Sequence, residues 1–248
     1  MPPRVIELPH DPRLGRHVVH DPLSRNFDLA DEVREVRFHP VEWRRIGPIF
    51  DQGRIAPEIL TAVGADPAED SVGCCTMCAA YGLLLTEPFH RPGTDFTMRD
   101  VLTGYHLETT LDERAIPGVW PPEDTGSAGL YAMKVLRRQG RIRSYRHAFN
   151  MPTARRALNR GPIAVGTAWY DSMFSTVERD GRQVLEIARS ASVVGGHEWI
   201  AHADDPDASM IGMTNSWGDW GDDGTAWMAY DTFERLLAEQ GDVHQPVL

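Results

Sequence analysis

Three residue types that together make a thiol usable as a nucleophile recur along this chain. The only cysteines, Cys74, Cys75 and Cys78, lie in one short stretch, GCCTMCAA, at the head of an apolar run. His197 follows a double glycine in GGHEWIA, and Asn215 precedes a tryptophan in TNSWGDWGDDG. A thiol attacks well only as thiolate, and the N-terminus of a helix favours that form through unpaired N–H groups and its dipole. An imidazole can take the thiol proton and return it to a leaving amine. A neutral amide can accept from the other ring N–H and hold one tautomer. The set predicts acyl transfer at a carbonyl, with each of the three thiols open as the nucleophile on these grounds alone.

The alternatives for the cysteines are weaker. All three fall within residues 74–78, too close together for a disulfide framework. Cys75 and Cys78 make one Cys-x-x-Cys, but no second pair or His-x3-His follows at zinc-finger spacing, so no metal site is expected. As small buried hydrophobes on a helix they would need no chemistry at all. The other histidines, His10, His17, His20, His39, His90, His106, His147, His202 and His244, read as surface or packing residues.

Elements must gather residues so distant in sequence. Cys74 to Leu85 reads as a buried helix from its Ala, Leu and Met content. Further helices are predicted over Met98–Leu111, Ala128–Gln139, Thr153–Asn159 and from Asp231 to Gly241. Strands are predicted over 161–170, Gln183–Ala188, Glu198–His202, Met210–Asn215 and Thr225–Ala229, with turn signals at Asp180-Gly181, Gly195-Gly196, 204–207 and 222–224. Helices first and strands after predict an α+β layout in two lobes. Residues 1–45, rich in Pro, Arg, His and Asp, read as an extended N-terminal arm lying on the body. The body is 46–248, divided into a helical lobe over 46–150 with an acidic insert at about 56–72, and a β-rich lobe over 151–248.

Composition narrows the partners. The 248 residues carry 25 Lys and Arg against 36 Asp and Glu, a net charge of −11, which argues against nucleic acid and anionic membranes. The longest nearly apolar run, Met77 to Leu85, is less than half of the roughly 20 residues that a membrane span needs. No apolar leader is visible, and reduced thiols fit synthesis in the cytoplasm.

The constellation resembles the papain-like cysteine peptidases. Asn215-Ser216-Trp217-Gly218, followed by Trp220-Gly221 and Gly224, is the most specific part, although the spacing between the two Trp-Gly pairs is about one residue shorter than the commonest form. GPIAV at 161–165 resembles the family's Gly-Pro strand, GGHEW carries the histidine, and Asp51-Gln52-Gly53 resembles its Gln-Gly. The likeness spans roughly residues 43–235. The combination resembles the compact members encoded by bacteriophages more than the lysosomal or plant enzymes, and their nucleophile segment aligns with Gly73-Cys74-Cys75-Thr76. The resemblance implies a papain-like two-lobe fold. In it Cys75 is nucleophile, His197 base and acid, Asn215 orienter and Gln52 oxyanion donor. Trp217, Gly196 and Gly73 lie against the substrate. Cys74 takes a Ser position and Cys78 falls one turn on, where packing is natural. One departure stands out. Gln52 precedes Cys75 by 23 positions where the family has about six, so the insert either loops out and leaves Gln52 in place or displaces it.

The expectation is a cysteine hydrolase that cleaves peptide or related amide bonds through an acyl-enzyme, needs no cofactor, and acts on a peptide or protein substrate. The phage resemblance points to virion protein processing or cell-wall peptide cleavage. The alternative is a virion structural or interaction protein on the same scaffold, touching other virion proteins through the arm. A third reading is a transferase in which an amine replaces water.

Overall fold

The computed structural model describes residues 4–6, 8–9, 11–29 and 38–248. Along the arm run two short strands, β1 (Arg4–Ile6) and β2 (Val18–His20), which pair antiparallel, and β3 (Val41–Glu42). The helical lobe follows with α1 (Pro57–Ala62), α2 (Cys75–Leu84), α3 (Met98–Asp112) and α4 (Gly129–Arg138). The rest alternates β4 (Ser144–Ala148), α5 (Met151–Leu158), β5 (Ile163–Tyr170), β6 (Val177–Arg179), β7 (Arg182–Val184), β8 (Val193–Asp205) and β9 (Met210–Thr214). It closes with the short α6 (Trp220–Asp223), β10 (Thr225–Ala229), α7 (Tyr230–Ala238) and β11 (Asp242–Val247).

Every residue of α2 is buried, so it has no polar face and must run through the middle of its lobe. It packs on α3 and α4 and against the sheet strands β5 and β8. The helix α3 starts at a capping box, in which Thr97 and Asp100 satisfy each other's first-turn donors. Asn150 caps α5 by accepting from the Thr153 N–H.

The strands form one sheet in the order β4-β11-β5-β8-β9-β10-β7-β6, with β3 also on β8; every pairing is antiparallel except β10 with β7. Apolar residues gather in two cores. One lies among α2, α3 and α4; the other lies between the sheet and α5 and α7. The mixture of helices and an antiparallel-rich sheet is the α+β arrangement expected.

Two expectations need correction. Gly195-Gly196 does not make a turn before the histidine strand: β8 runs unbroken from Val193 to Asp205. Glycine stands there because another segment presses on the strand, as described below. The strand expected over Gln183–Ala188 is shorter, ending at Val184. Strands β4 and β11 were not anticipated. β11 follows a helix stop at Gly241 and contains Pro246, two signals that ordinarily end regular structure.

Candidate active site

The chain enters α2 at Cys75, the first helical residue, and buries it completely. Cys74 and Cys78 turn into the helical core, their sulfurs 3.8 Å apart. Cys75 lies outside both cores, and its thiol receives the backbone N–H of Glu198, which favours thiolate. Burial is the larger effect and pushes the Cys75 thiol well above its ordinary value. The turn before it is braced from outside the helix: Asp124 accepts from the Gly73 N–H at 2.7 Å and from the Tyr105 hydroxyl at 2.5 Å.

His197 sits on β8, opposite Thr167 of β5. Its Nε2 is 2.6 Å from Asn215 Oδ1, just past the end of β9, while Nδ1 has no hydrogen-bond partner. Asn215 is held in turn by its backbone N–H, which donates to the Gly224 carbonyl at 2.8 Å, so the loop between them returns on itself. Trp217 stacks on the imidazole at 4.7 Å with an interplanar angle of 28°, and Trp169 meets it edge-on at 4.7 Å. Sealed by two indoles, the His197 imidazole is pushed down by burial to about 4, against the opposing pull of the Asn215 bond. His202 takes no part; its ring pairs with the Thr214 hydroxyl.

The insert loops out. The Val72 N–H donates to the Gln52 carbonyl at 3.1 Å and the Ile55 N–H to the Asp70 carbonyl at 2.8 Å, so the two ends of the excursion are stitched together. Between them α1 buries Leu60 in the helical core. Gln52 is therefore delivered next to the Cys75 turn despite the 23-residue separation. Its Oε1 accepts from the Ser216 hydroxyl at 2.7 Å, which turns Nε2 toward the groove.

A peptide already lies in that groove: the chain's own arm. Gln52 Nε2 donates to the Arg13 carbonyl at 3.0 Å, and Trp217 Nε1 donates to the same oxygen at 3.2 Å. Gly15 and Arg16 both donate their N–H to the Gly196 carbonyl, at 3.2 and 2.9 Å. On the opposite wall the Ser127 N–H donates to the Gly15 carbonyl at 2.6 Å, and the His17 N–H to the Ser127 carbonyl at 2.5 Å. A Cβ on Gly15 would overlap the Gly73 carbonyl, and one on Gly196 would overlap the Arg16 carbonyl, so backbone lies on backbone at both places. Gln52, Gly73, Gly196 and Trp217 thus all touch this one segment. The sequence anticipated an arm lying on the body but gave no sign that it occupies the groove.

Beside the arm is a buried charged cluster that the sequence did not reveal. Glu198, Asp242 and His244 bring ligand-type atoms within 4.8 Å of one another, the one such group among the described residues. Arg16 enters it from the arm, its Nη2 2.7 Å from Asp242 Oδ1. Burial works against both charged forms, yet mutual attraction prevails: Arg16 and His244 hold the Asp242 carboxyl low, while Asp242 and Glu198 hold the His244 imidazole up. The signal available in sequence was thin. Glu198 adjoins a recognised histidine, but Asp242 and His244 lie in a terminal strand that was not foreseen.

Fold and site geometry together define a papain-like cysteine protease fold. No family model matches the sequence, and no curated protein matches it. The similarities are to solved structures. Xylellain, a cysteine protease from Xylella fastidiosa, matches with a TM-score of 0.62 at 16% identity, over 99% of this chain and 98% of that one. Procathepsin B S9 from Trypanosoma congolense matches at 0.58 and 13% identity, over 95% and 87%. Bromelain from Ananas comosus, in complex with the E64 inhibitor, matches at 0.52 and 14% identity, over 84% and 99%.

Proposed function

We propose that this chain is a cysteine peptidase whose own N-terminal arm keeps it latent. The observation that carries the reading is the His197 imidazole, bonded through Nε2 to Asn215 with Nδ1 left unpartnered, on a strand whose next N–H reaches the Cys75 thiol. In the reaction the Cys75 proton passes to His197 Nδ1 and the thiolate attacks the substrate carbonyl. The oxyanion is held by the Gln52 side-chain N–H and the Cys75 backbone N–H, one of the first-turn donors that a helix cannot satisfy internally. The C–N bond breaks as His197 returns the proton to the leaving amine, and water then hydrolyses the thioester. That Gln52 Nε2 already holds a peptide carbonyl, that of Arg13, supports its role as oxyanion donor.

Latency follows from the same contacts. With the arm in place the thiol is pushed up and the imidazole down, so both are neutral. Withdrawal admits water and a substrate, and favours the ion pair. The finer expectation, phage association with a virion protein or cell-wall peptide as substrate, rests on the resemblance of the nucleophile segment alone. The expected contact of the arm with other virion proteins gains no support, because the described arm is packed into its own groove. Alkylation tests the reading. In the full chain Cys75 should react slowly with iodoacetamide at about pH 5–6, and displacement of the arm should accelerate its labelling selectively, an acceleration lost in His197→Ala. Equal, sluggish labelling of all three cysteines after displacement would support an inactive scaffold instead.

A further inference from the structure

The groove holds more charge than acyl transfer needs. Glu198, Asp242 and His244 form a buried cluster packed against the backbone at Gly129 and Gly166. A Cβ on Gly129 would overlap Glu198 and His244, and one on Gly166 would crowd Arg16, Asp242 and Glu198, so glycine at both positions lets the charged side chains close onto the backbone. Glu198 is only 1% exposed and Asp242 only 6%. Two buried carboxylates this close are costly unless a cation accompanies them. Part of that cation comes from neither lobe. It is Arg16, carried in by the segment that blocks the groove, with its side chain fully buried and Nη2 bonded to Asp242 Oδ1 at 2.7 Å and to the Gln240 carbonyl at 2.9 Å.

The fit is incomplete in an informative way. Arg16 Nε and Nη1 have no hydrogen-bond partner, and Glu198 meets only a long contact from His244, whose Nδ1 stands 3.5 Å from Oε1. Glu198 is thus a buried acceptor with unused capacity in a pocket already shaped around a guanidinium. Its position ties the pocket to the chemistry, for its backbone N–H contacts the Cys75 thiol and it directly follows His197. Whatever side chain fills this pocket belongs to a peptide lying across Cys75.

We propose that Glu198, Asp242 and His244 form the specificity pocket of the groove, that it selects an arginine or lysine side chain of the peptide substrate, and that Arg16 fills it while the arm is in place. The proposal rests on the peptidase reading. Once the arm withdraws, the pocket keeps two carboxylates and one imidazole. A basic side chain again supplies donors and positive charge to the carboxyl groups, a neutral one leaves acceptors unpaired, and an acidic one adds repulsion. A guanidinium offers five donors in a planar fork and can reach both carboxylates, so arginine is favoured over lysine.

The test uses the full chain with its arm displaced in two independent ways. Gly15→Ala drives a methyl into the Gly73 carbonyl while leaving Arg16 and the pocket intact, and Arg16→Ala removes the anchor. Peptides carrying a single arginine, lysine, citrulline, leucine or glutamate at successive positions around a fluorogenic amide are assayed for kcat/KM. Their binding to the Cys75→Ala, Arg16→Ala chain is measured in parallel by calorimetry. At one position arginine should exceed its neutral isostere citrulline at least about tenfold in both assays, and Glu198→Gln should shrink that ratio to below about threefold. Cleavage or binding that ignores the exchange of arginine for citrulline, or prefers leucine or glutamate, overturns the pocket and leaves the peptidase standing. Preferential binding of arginine with no cleavage by either displaced variant upholds the pocket and sinks the peptidase.

Discussion

At the scale of single residues, the three clustered cysteines divide by what their sulfurs touch. Cys74 and Cys78 face each other inside the helical core, while Cys75 meets the strand that carries His197. Substituting Cys75 by Ser should therefore abolish peptide cleavage in the arm-displaced chain, whereas Cys78→Ala should keep turnover and lose stability by an amount set by the cavity it leaves. On the proposed mechanism Gln52→Ala removes one of two oxyanion donors and should lower kcat by about 10²–10³. Turnover assays check the three activities and a urea midpoint the stability of Cys78→Ala, and a Gln52→Ala chain with unaltered kcat would mean that the Arg13 carbonyl marks no oxyanion position. The sequence offers Cys, His, Asn and Gln as the types that acyl transfer would need, each for a distinct task, and the structure places Gln52, His197 and Asn215 around the turn that leads into Cys75. Residue type alone does not separate three cysteines within residues 74–78, whereas a helix axis and two cores set Cys75 apart from Cys74 and Cys78. Glu198 illustrates the opposite limit. Alternation along β8 correctly turns it away from the imidazole, but what waits on that other side comes from β11 and the arm, more than 40 residues later and 180 earlier.

At the scale of elements, the long helices were readable because their burial is local and periodic, and α3 and α4 fall within a residue or so of expectation. What escaped were elements defined by their partners. β11 exists because β4 and β5 flank it, and the double glycine of β8 reads as a turn until the arm is laid over it. One contact between elements carries a pH signature. Asp112, at the end of α3, accepts from the Ser127 hydroxyl at 2.5 Å and so steadies the residue whose backbone grips Gly15 and His17. Burial pushes the Asp112 carboxyl up to about 7. Its ordinary value in an unfolded chain is about 3.9, so above pH 7 the folded state bears the whole cost of a buried charge. As the pH falls from 7 toward 4 the folded chain takes up a proton that the unfolded chain does not, and this penalty is relieved. Asp112→Asn, which stays neutral and still accepts from Ser127, should raise stability by about 1–3 kcal/mol at pH 8 and by much less near pH 4.5. Urea midpoints at the two pH values decide it, and an equal effect at both would show that Asp112 does not carry the assigned charge.

At the scale of the whole molecule, the proposed function makes the arm a competitor of the substrate. Weak periodicity and a run of Pro, Arg, His and Asp identify an extended segment in the sequence, but carbonyl-to-amide contacts leave no pattern in side-chain type, so its seat in the groove could not be read there. The contacts from Arg13 to His17 satisfy donors on both walls and bury the one guanidinium that the Glu198–Asp242 pocket receives from the arm. Such an occupant lowers the fraction of chains competent to bind substrate without altering the residues that act once substrate is bound. The apparent affinity is reduced by that fraction. Saturating substrate displaces the arm by mass action, so the maximal rate is unaffected. Gly15→Ala should accordingly raise kcat/KM through a lower KM, by about tenfold or more if the arm is seated in nine chains of ten or better, while kcat stays where it was. The tether makes the competition intramolecular, so the parent chain's low kcat/KM should not change with protein concentration. Initial rates across a substrate series, at two enzyme concentrations, separate the possibilities. A rise in kcat with KM constant would mean that the arm distorts the Cys75–His197 pair, and identical constants for the two chains would mean that the arm leaves the groove freely.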